Sequence, residues 1–198
     1  MTGEKVCPFV GRGGLKLAHA LDAFDLSVEA LTCADFGCNV GGFTDCLLSR
    51  GAAHVYAVDT GYGTLSYRLR IDPRITVMER TNALHATPPE TPVDLVVIDM
   101  GWTTQDRCIE AAKRWLKPGG DVVTLIKPHY EARRFDLESR LTDGVLEPED
   151  AQRVVDLVVQ DFEMRTIEIK GVTKSPFEGG IGKRNKRGNA EWLAWIRI

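Results

Sequence analysis

A chain of 198 residues with 43% hydrophobic and 27% charged residues has the make-up of an ordinary globular protein, which excludes disorder and collagen-like repeats. No run of about 18 apolar residues occurs and the start, MTGEKVCPFVGRGG, lacks the apolar stretch of a secretory signal, so a cytoplasmic protein with no membrane partner is expected. The 25 basic and 28 acidic residues leave a formal charge of −3, which by itself points to no nucleic-acid partner.

At roughly 150 residues per domain, a single domain over residues 1–198 is expected, with residues 1–12 as an N-terminal extension. Residues 14–26 carry Leu15, Ala18, Leu21 and Phe24 at helical spacing. LTCADFG (31–37) reads as a buried strand and 43–50 as a helix. HVYAVD (54–59) and ITVMER (75–80) read as the second and third strands. VDLVVIDM (93–100) is so apolar that burial on both faces is expected. A helix over 105–116, stopped by Lys117-Pro118-Gly119-Gly120, leads into a fifth strand, GDVVTLIK (120–127). Residues 129–144 are polar and mixed, a helical excursion or loop. A helix follows over 148–162, then strands over 164–170 and 191–198 flanking a long Gly-, Lys- and Arg-rich basic loop, 171–189.

Strands alternating with helices argue for an α/β fold built on a doubly wound, seven-stranded, mostly parallel sheet. The last two strands are linked too briefly for a helical crossover, so one strand near the edge should run antiparallel. Such a sheet binds its ligand at the carboxyl ends of its strands.

Charge is unevenly placed. Acids gather at Glu147, Glu149, Asp150 and Asp156, and bases at Lys183, Arg184, Lys186 and Arg187, at Arg68, Arg70 and Arg74, and at Arg133 and Arg134. This permits a local phosphate-binding face, with solvated loops an equally good reading of each group alone. The five cysteines (Cys7, Cys33, Cys38, Cys46, Cys108) have no paired spacing and the four histidines are scattered, so no metal site is expected.

Two constellations carry chemistry. Asp35-Phe36-Gly37-Cys38-Asn39-Val40-Gly41-Gly42-Phe43 follows the first strand and opens a helix, where glycines let backbone approach a ligand. Its GxxxGG spacing departs from the GxGxxG of dinucleotide binders, but Asp59, about 20 residues on, is placed to hold a ribose diol. The second is Lys16 before the sheet, Asp99 and Lys127 at the ends of strands four and five, and Glu191 opening the last strand. A lysine after strand residues as apolar as VVTLI should be depressed in pKa by burial and by a second ammonium, making it a usable base, while carboxylates oppose that depression.

The stretches FVGRGGLKLAHALDAF and DFGCNVGGFTDCLLSRGAAHVYAVDTGYGTLSYRLRIDPRITVMERTNA closely resemble TlyA-type (haemolysin A) RNA methyltransferases, relatives of the FtsJ/RrmJ-type 2′-O-ribose methyltransferases. The resemblance continues through VDLVVIDM, LIKPHYEA and GNAEWLAW and covers most of the chain. It implies a Rossmann-like methyltransferase fold, S-adenosyl-L-methionine as cofactor, and ribosomal RNA or ribosomal subunits as partner. It also implies a Lys-Asp-Lys-Glu tetrad at Lys16, Asp99, Lys127 and Glu191. Cofactor positions fall on Gly37, Asn39, Gly41, Gly42 and Phe43 for the methionine side, Asp59 for the ribose, Thr81 and Asn82 near the adenine, with Asp99 adjoining. RNA phosphates would meet Arg12, Arg68, Lys183, Arg184, Lys186 and Arg187. The family usually carries an N-terminal S4-like RNA-binding module, whereas this sequence begins almost at the catalytic domain, leaving room for a protein partner in its place. DFGCNVGGF also replaces the commoner alanine-serine-threonine first loop, and the KRNKR segment is more basic than the family leads one to expect. A non-catalytic cofactor- or RNA-binding module and a small-molecule methyltransferase are the alternatives.

Overall fold

The apolar runs pair side by side, since their side chains alternate between two covered faces of one sheet. The computed structural model describes residues 7–179 and 188–198. In it β1 (Thr32–Phe36), β2 (His54–Val58), β3 (Ile75–Met78), β4 (Val93–Ile98) and β5 (Leu116–Ile126) pair in parallel. β6 (Glu168–Lys174) and β7 (Trp192–Arg197) complete the order β3-β2-β1-β4-β5-β7-β6, with β7 antiparallel to both of its neighbours. The doubly wound sheet with its antiparallel strand near the edge is therefore as expected, and the strand order reverses between β1 and β4.

Helices α1 (Gly13–Ala23) and α2 (Gly42–Ser49) cover one face, burying Leu17, Leu21 and Leu47 against Val55, Leu95 and Val97. Helices α4 (Gln105–Lys113) and α6 (Pro148–Met164) cover the other, with Ile109, Val154 and Phe162 packed around Phe36 and Trp115. Trp115 meets Phe36 edge to face at 5.1 Å. Each such side chain, fully buried, contributes about 1.5–3 kcal/mol, so the two apolar layers are what hold the sheet. The acids Glu149 and Asp150 lie in the first turn of α6, after Pro148 at its start, where they complement the helix dipole. Two single turns, α3 (Tyr67–Arg70) and α5 (Pro128–Glu131), lie beyond the strand ends.

Several boundaries differ from expectation. Lys117-Pro118-Gly119-Gly120 does not stop a helix: α4 ends at Lys113, and those residues belong to β5, which begins at Leu116 opposite Val93. A register shift between Val93 and Leu95 takes up the irregularity, with Gly119 at φ +72°. The sixth strand lies later than expected because α6 runs on to Met164, and Thr166 at φ +60° turns the chain into β6. Gly171 to Lys174 are therefore ladder residues paired with β7 rather than the opening of the basic loop. Residues 129–144 form α5, two short 3-10 turns (Ala132–Phe135 and Glu138–Arg140) and a bridge between Thr142 and Val145.

Candidate active site

The loops after the parallel strands meet at one edge of the sheet, and glycine decides how closely. A Cβ on Gly37, at φ +85°, would lie 2.6 Å from the Asp99 carbonyl oxygen, so only glycine lets the loops after β1 and β4 touch. Asn39 donates its N–H to Asp59 Oδ2 at 2.8 Å, and Gly61 donates to Asp59 Oδ1 at 2.7 Å. Asp59 thus ties the loops after β1 and β2 together, while each of its oxygens keeps a lone pair for a ligand. Beneath them Asp35 is fully buried; Thr44 donates both its N–H (2.9 Å) and its hydroxyl (2.6 Å) to Oδ2.

Two cavities open on this edge. The larger, 600 Å³, runs from Asp59 past Thr81 and Asn82 to Asp99, Lys127 and Glu191. The smaller, 220 Å³, is bounded by the Gly11–Gly13 turn, Phe43 and Phe177. Lys16, Gly37, Asn39 and Asp99 line both. Of the expected cofactor residues, Gly37, Asn39, Asp59, Thr81, Asn82 and Asp99 line the larger cavity, whereas Gly42 and Phe43 line the smaller. Gly41, at φ +99°, instead turns toward Leu65 and Leu69 at the start of α2.

The four tetrad residues come from four elements. Lys16 rides on α1, Asp99 follows β4, Lys127 follows β5, and Glu191 precedes β7, whose antiparallel course brings its start to the same edge. They form two ion pairs: Lys16 with Glu191, and Lys127 Nζ with Asp99 Oδ1 at 2.5 Å. Lys127 also donates to the Met100 carbonyl oxygen at 3.2 Å. The depressed lysine expected from the sequence is not found. Burial does work against the Lys127 ammonium, but the charge and hydrogen bond of Asp99 and the charge of Glu191 outweigh it, and its pKa is raised. Lys16 is spent on Glu191 instead of repelling Lys127. Burial likewise raises the Glu191 carboxyl, against the pull of Lys16 and Lys127.

The basic groups separate. Arg12 lies exposed at the smaller cavity and carries no ion pair among the described residues. Arg68, Arg70 and Arg74 are each paired, with Asp45, Glu79 and Asp72. Arg134 faces Asp161 at 2.6 Å. Lys183, Arg184, Lys186 and Arg187 lie outside the described residues. Sequence reasoning missed Trp102, which is 87% exposed, adopts φ +61° and stacks on Tyr130 at 5.0 Å between ring centres. Tyr130 in turn faces the Lys127 ammonium. The available signal was an aromatic placed between an apolar strand and a helix, in Gly101-Trp102-Thr103.

The FtsJ-like methyltransferase family matches residues 9–182. The 16S/23S rRNA (cytidine-2′-O)-methyltransferase TlyA of Mycobacterium tuberculosis is 38% identical over 192 residues, spanning 96% of this chain and 68% of that protein. Hemolysin A of Brachyspira hyodysenteriae is 33% identical over 196 residues, covering 96% of this chain and 77% of its own. A crystal structure from Lactococcus lactis, described as a candidate hemolysin, superposes with a TM-score of 0.84 at 34% identity, covering 96% of this chain and 88% of that one. An S-adenosylmethionine-dependent methyltransferase from Mesorhizobium loti, at 19% identity, shares the fold with a TM-score of 0.63 over 95% of this chain and all of its own. With the family pattern over most of its length and close relatives over nearly all of it, the chain belongs to the FtsJ-like methyltransferases, a family whose cofactor is S-adenosylmethionine.

Proposed function

We propose that this protein methylates a ribose 2′-hydroxyl of ribosomal RNA, with Lys16, Asp99, Lys127 and Glu191 as its catalytic tetrad. The observation that carries this reading is the meeting of two cavities at Lys16 and Asp99, with Lys127 and Glu191 on the wall of the larger; one is sized for a nucleoside cofactor and the other is open to an acceptor. The larger cavity fits S-adenosylmethionine by its chemistry. Asp59 offers lone pairs to ribose hydroxyls, Thr81 and Asn82 flank the adenine end, and Gly37 and Asn39 leave room for the amino-acid end. Gly41, Gly42 and Phe43 set the course of that loop. The bound cofactor supplies an electrophilic methyl group on a sulfonium.

The residues of the chain then align the acceptor. The Lys127 ammonium, kept charged by Asp99 and Glu191, donates a hydrogen bond to the 2′-oxygen and fixes its direction. It steers rather than deprotonates. A hydroxyl grows steeply more acidic as the new O–C bond forms, so the Asp99 carboxylate suffices to take its proton. General-base help of this kind is worth about 10²–10⁴-fold, with alignment supplying the larger share. Arg12 meets a phosphate beside the smaller cavity, and the exposed face of Trp102 offers a base a stacking surface. Further contacts fall to Arg68 once it leaves Asp45, to the Lys183, Arg184, Lys186 and Arg187 group, or to a protein partner.

The test is transfer of labelled methyl from S-adenosylmethionine to unmodified ribosomal RNA, free and as subunits, by wild type and Lys127→Ala. Alkali-resistant dinucleotides from the wild type alone, with cofactor binding intact in the variant, is the expected result. Equal transfer after ribonuclease digestion of the acceptor would overturn the RNA substrate, and loss of cofactor affinity in Lys127→Ala would overturn the role of that lysine.

A further inference from the structure

Glu131 has no place in the tetrad, yet it is 1% exposed and lies four residues after Lys127. Its Oε1 accepts the backbone N–H of Gln105 at 2.7 Å, at the first turn of α4. Gln105, itself 3% exposed, donates its side-chain N–H to the Leu125 carbonyl oxygen at 3.2 Å and accepts the Thr124 hydroxyl at 2.7 Å. These three side chains form a buried polar knot. It joins the start of α4 to β5 and α5, and so joins the loop that follows Asp99 to the turn that follows Lys127.

That junction lies where the sheet no longer does the work. The β4–β5 ladder ends at Ile98 opposite Thr124, so Asp99 and Lys127 both lie beyond it. The Asp99 backbone is held to β1 and the β5 end to β7, and the knot links the two loops across the gap alongside the Lys127–Asp99 pair, the Lys127–Met100 hydrogen bond and the Trp102–Tyr130 contact. A buried carboxylate is costly unless its oxygens are engaged. Among the described residues, Glu131 Oε2 makes no hydrogen bond, and the cation within reach is Arg134, at 3.7 Å and shared with Asp106 and Asp161. An apolar residue would be the less costly occupant of such a position if it served packing alone.

We infer that Glu131 is a positioning residue. By capping α4 from the turn after Lys127, it sets the distance and angle at which the Lys127–Asp99 pair meets the acceptor. The inference rests on the reading of Lys127 as the steering group. Glu131→Leu frees the start of α4 and lets the Met100–Thr104 loop drift from Lys127, while the Asp59, Thr81 and Asn82 end of the larger cavity is untouched. Glu131→Gln keeps an oxygen acceptor for the Gln105 N–H.

The experiment measures methyl transfer to ribosomal RNA together with the Lys127 Nζ signal by NMR of the full chain, the latter a readout that needs no activity. Glu131→Leu is expected to lower kcat about 100-fold, a size a misplacement near 1 Å can have, with KM for S-adenosylmethionine changed far less than kcat. Its Lys127 signal should move and titrate at lower pH as Asp99 withdraws, and Glu131→Gln should recover most of both. Thr124→Val, which removes one hydrogen bond of the knot at constant volume, should shift both readouts in the same direction, and it serves if Glu131→Leu does not fold. Unchanged kcat and an unchanged Lys127 signal in the folded variants would overturn the inference, as would an equal rise in KM for the cofactor. An inactive wild type whose Lys127 signal nevertheless moves in Glu131→Leu would instead overturn the catalytic reading and leave the coupling of Glu131 to Lys127 standing.

Discussion

Asp35 is a fully buried carboxyl group on β1 with one oxygen, Oδ1, that has no hydrogen-bond partner among the described residues. Burial pushes its pKa from 3.8 up to about 7, the Thr44 hydrogen bonds pull against that, and the charges of Asp99 and Asp59 add to the rise. The folded protein therefore holds this proton more tightly than the unfolded chain. Stability linked to Asp35 is present in full below pH 3.8 and is lost as pH climbs toward about 7. An asparagine mimics the protonated acid and can still accept from Thr44. Asp35→Asn is thus expected to match wild type near pH 4 and to be the more stable protein at pH 8, read as the difference in Tm across that range. A constant difference at all pH values would refute the assignment. Lys127 is also disfavoured in its charged form by burial, yet keeps its charge, because the carboxylates acting on it, Asp99 and Glu191, are of opposite sign, whereas those acting on Asp35, Asp99 and Asp59, are of like sign.

The crossing of α1 over α2 fixes where Lys16 stands. A Cβ on Gly42 would lie 2.9 Å from the Gly14 backbone nitrogen and 3.3 Å from the Gly11 oxygen, and backbone atoms cannot yield as a side-chain tip can. Gly42→Ala should push α1 away, cost about 1–3 kcal/mol by denaturant unfolding as overpacking usually does, and part Lys16 from Glu191. Loss of transfer at saturating cofactor with no loss of stability would contradict this account. Elements of this kind were legible to different degrees. β4 was plain in the sequence because Leu95, Val96, Val97 and Ile98 are all buried and alternate between the two faces. The start of β5 was hidden, since a Lys-Pro-Gly-Gly segment reads as a helix stop, and only its pairing with β4 and the carboxyl end of β7 draws it into the sheet. The end of α6 was hidden too, because Ile167 and Ile169 alternate as a strand would while the helix runs on through Met164.

Across the molecule, long-range pairing is what the sequence concealed. Strand ends grouped Asp99, Lys127 and Glu191 with Lys16 as one constellation, but the ion pair of Lys16 with Glu191, 175 positions away, became visible only in the fold. Arg68, Arg70 and Arg74, a basic group in the sequence, pair with the carboxylates of Asp45, Glu79 and Asp72, which lie 23, 9 and 2 positions away. On the proposed reading, Arg12, exposed at the smaller cavity and without an ion pair among the described residues, meets an RNA phosphate. Binding of ribosomal RNA should weaken steeply with salt, and Arg12→Ala should lower the slope of log affinity against log salt by about 1. An unchanged slope would remove Arg12 from the RNA interface.

The placement of β7 has a consequence for how the protein is made. It lies between β5 and β6 in the sheet, yet it is the last strand in the chain. While a ribosome is still extending the polypeptide, β5 has one neighbour and β6 has none, and the partner of Lys16 has not been synthesised. A nascent chain halted before Glu191 would leave two edges unpaired and would be open to proteases and to other strands. The Lys16–Glu191 pair and the sheet are therefore completed by the same few residues, so that this pairing arrives together with protection from misassembly rather than before it.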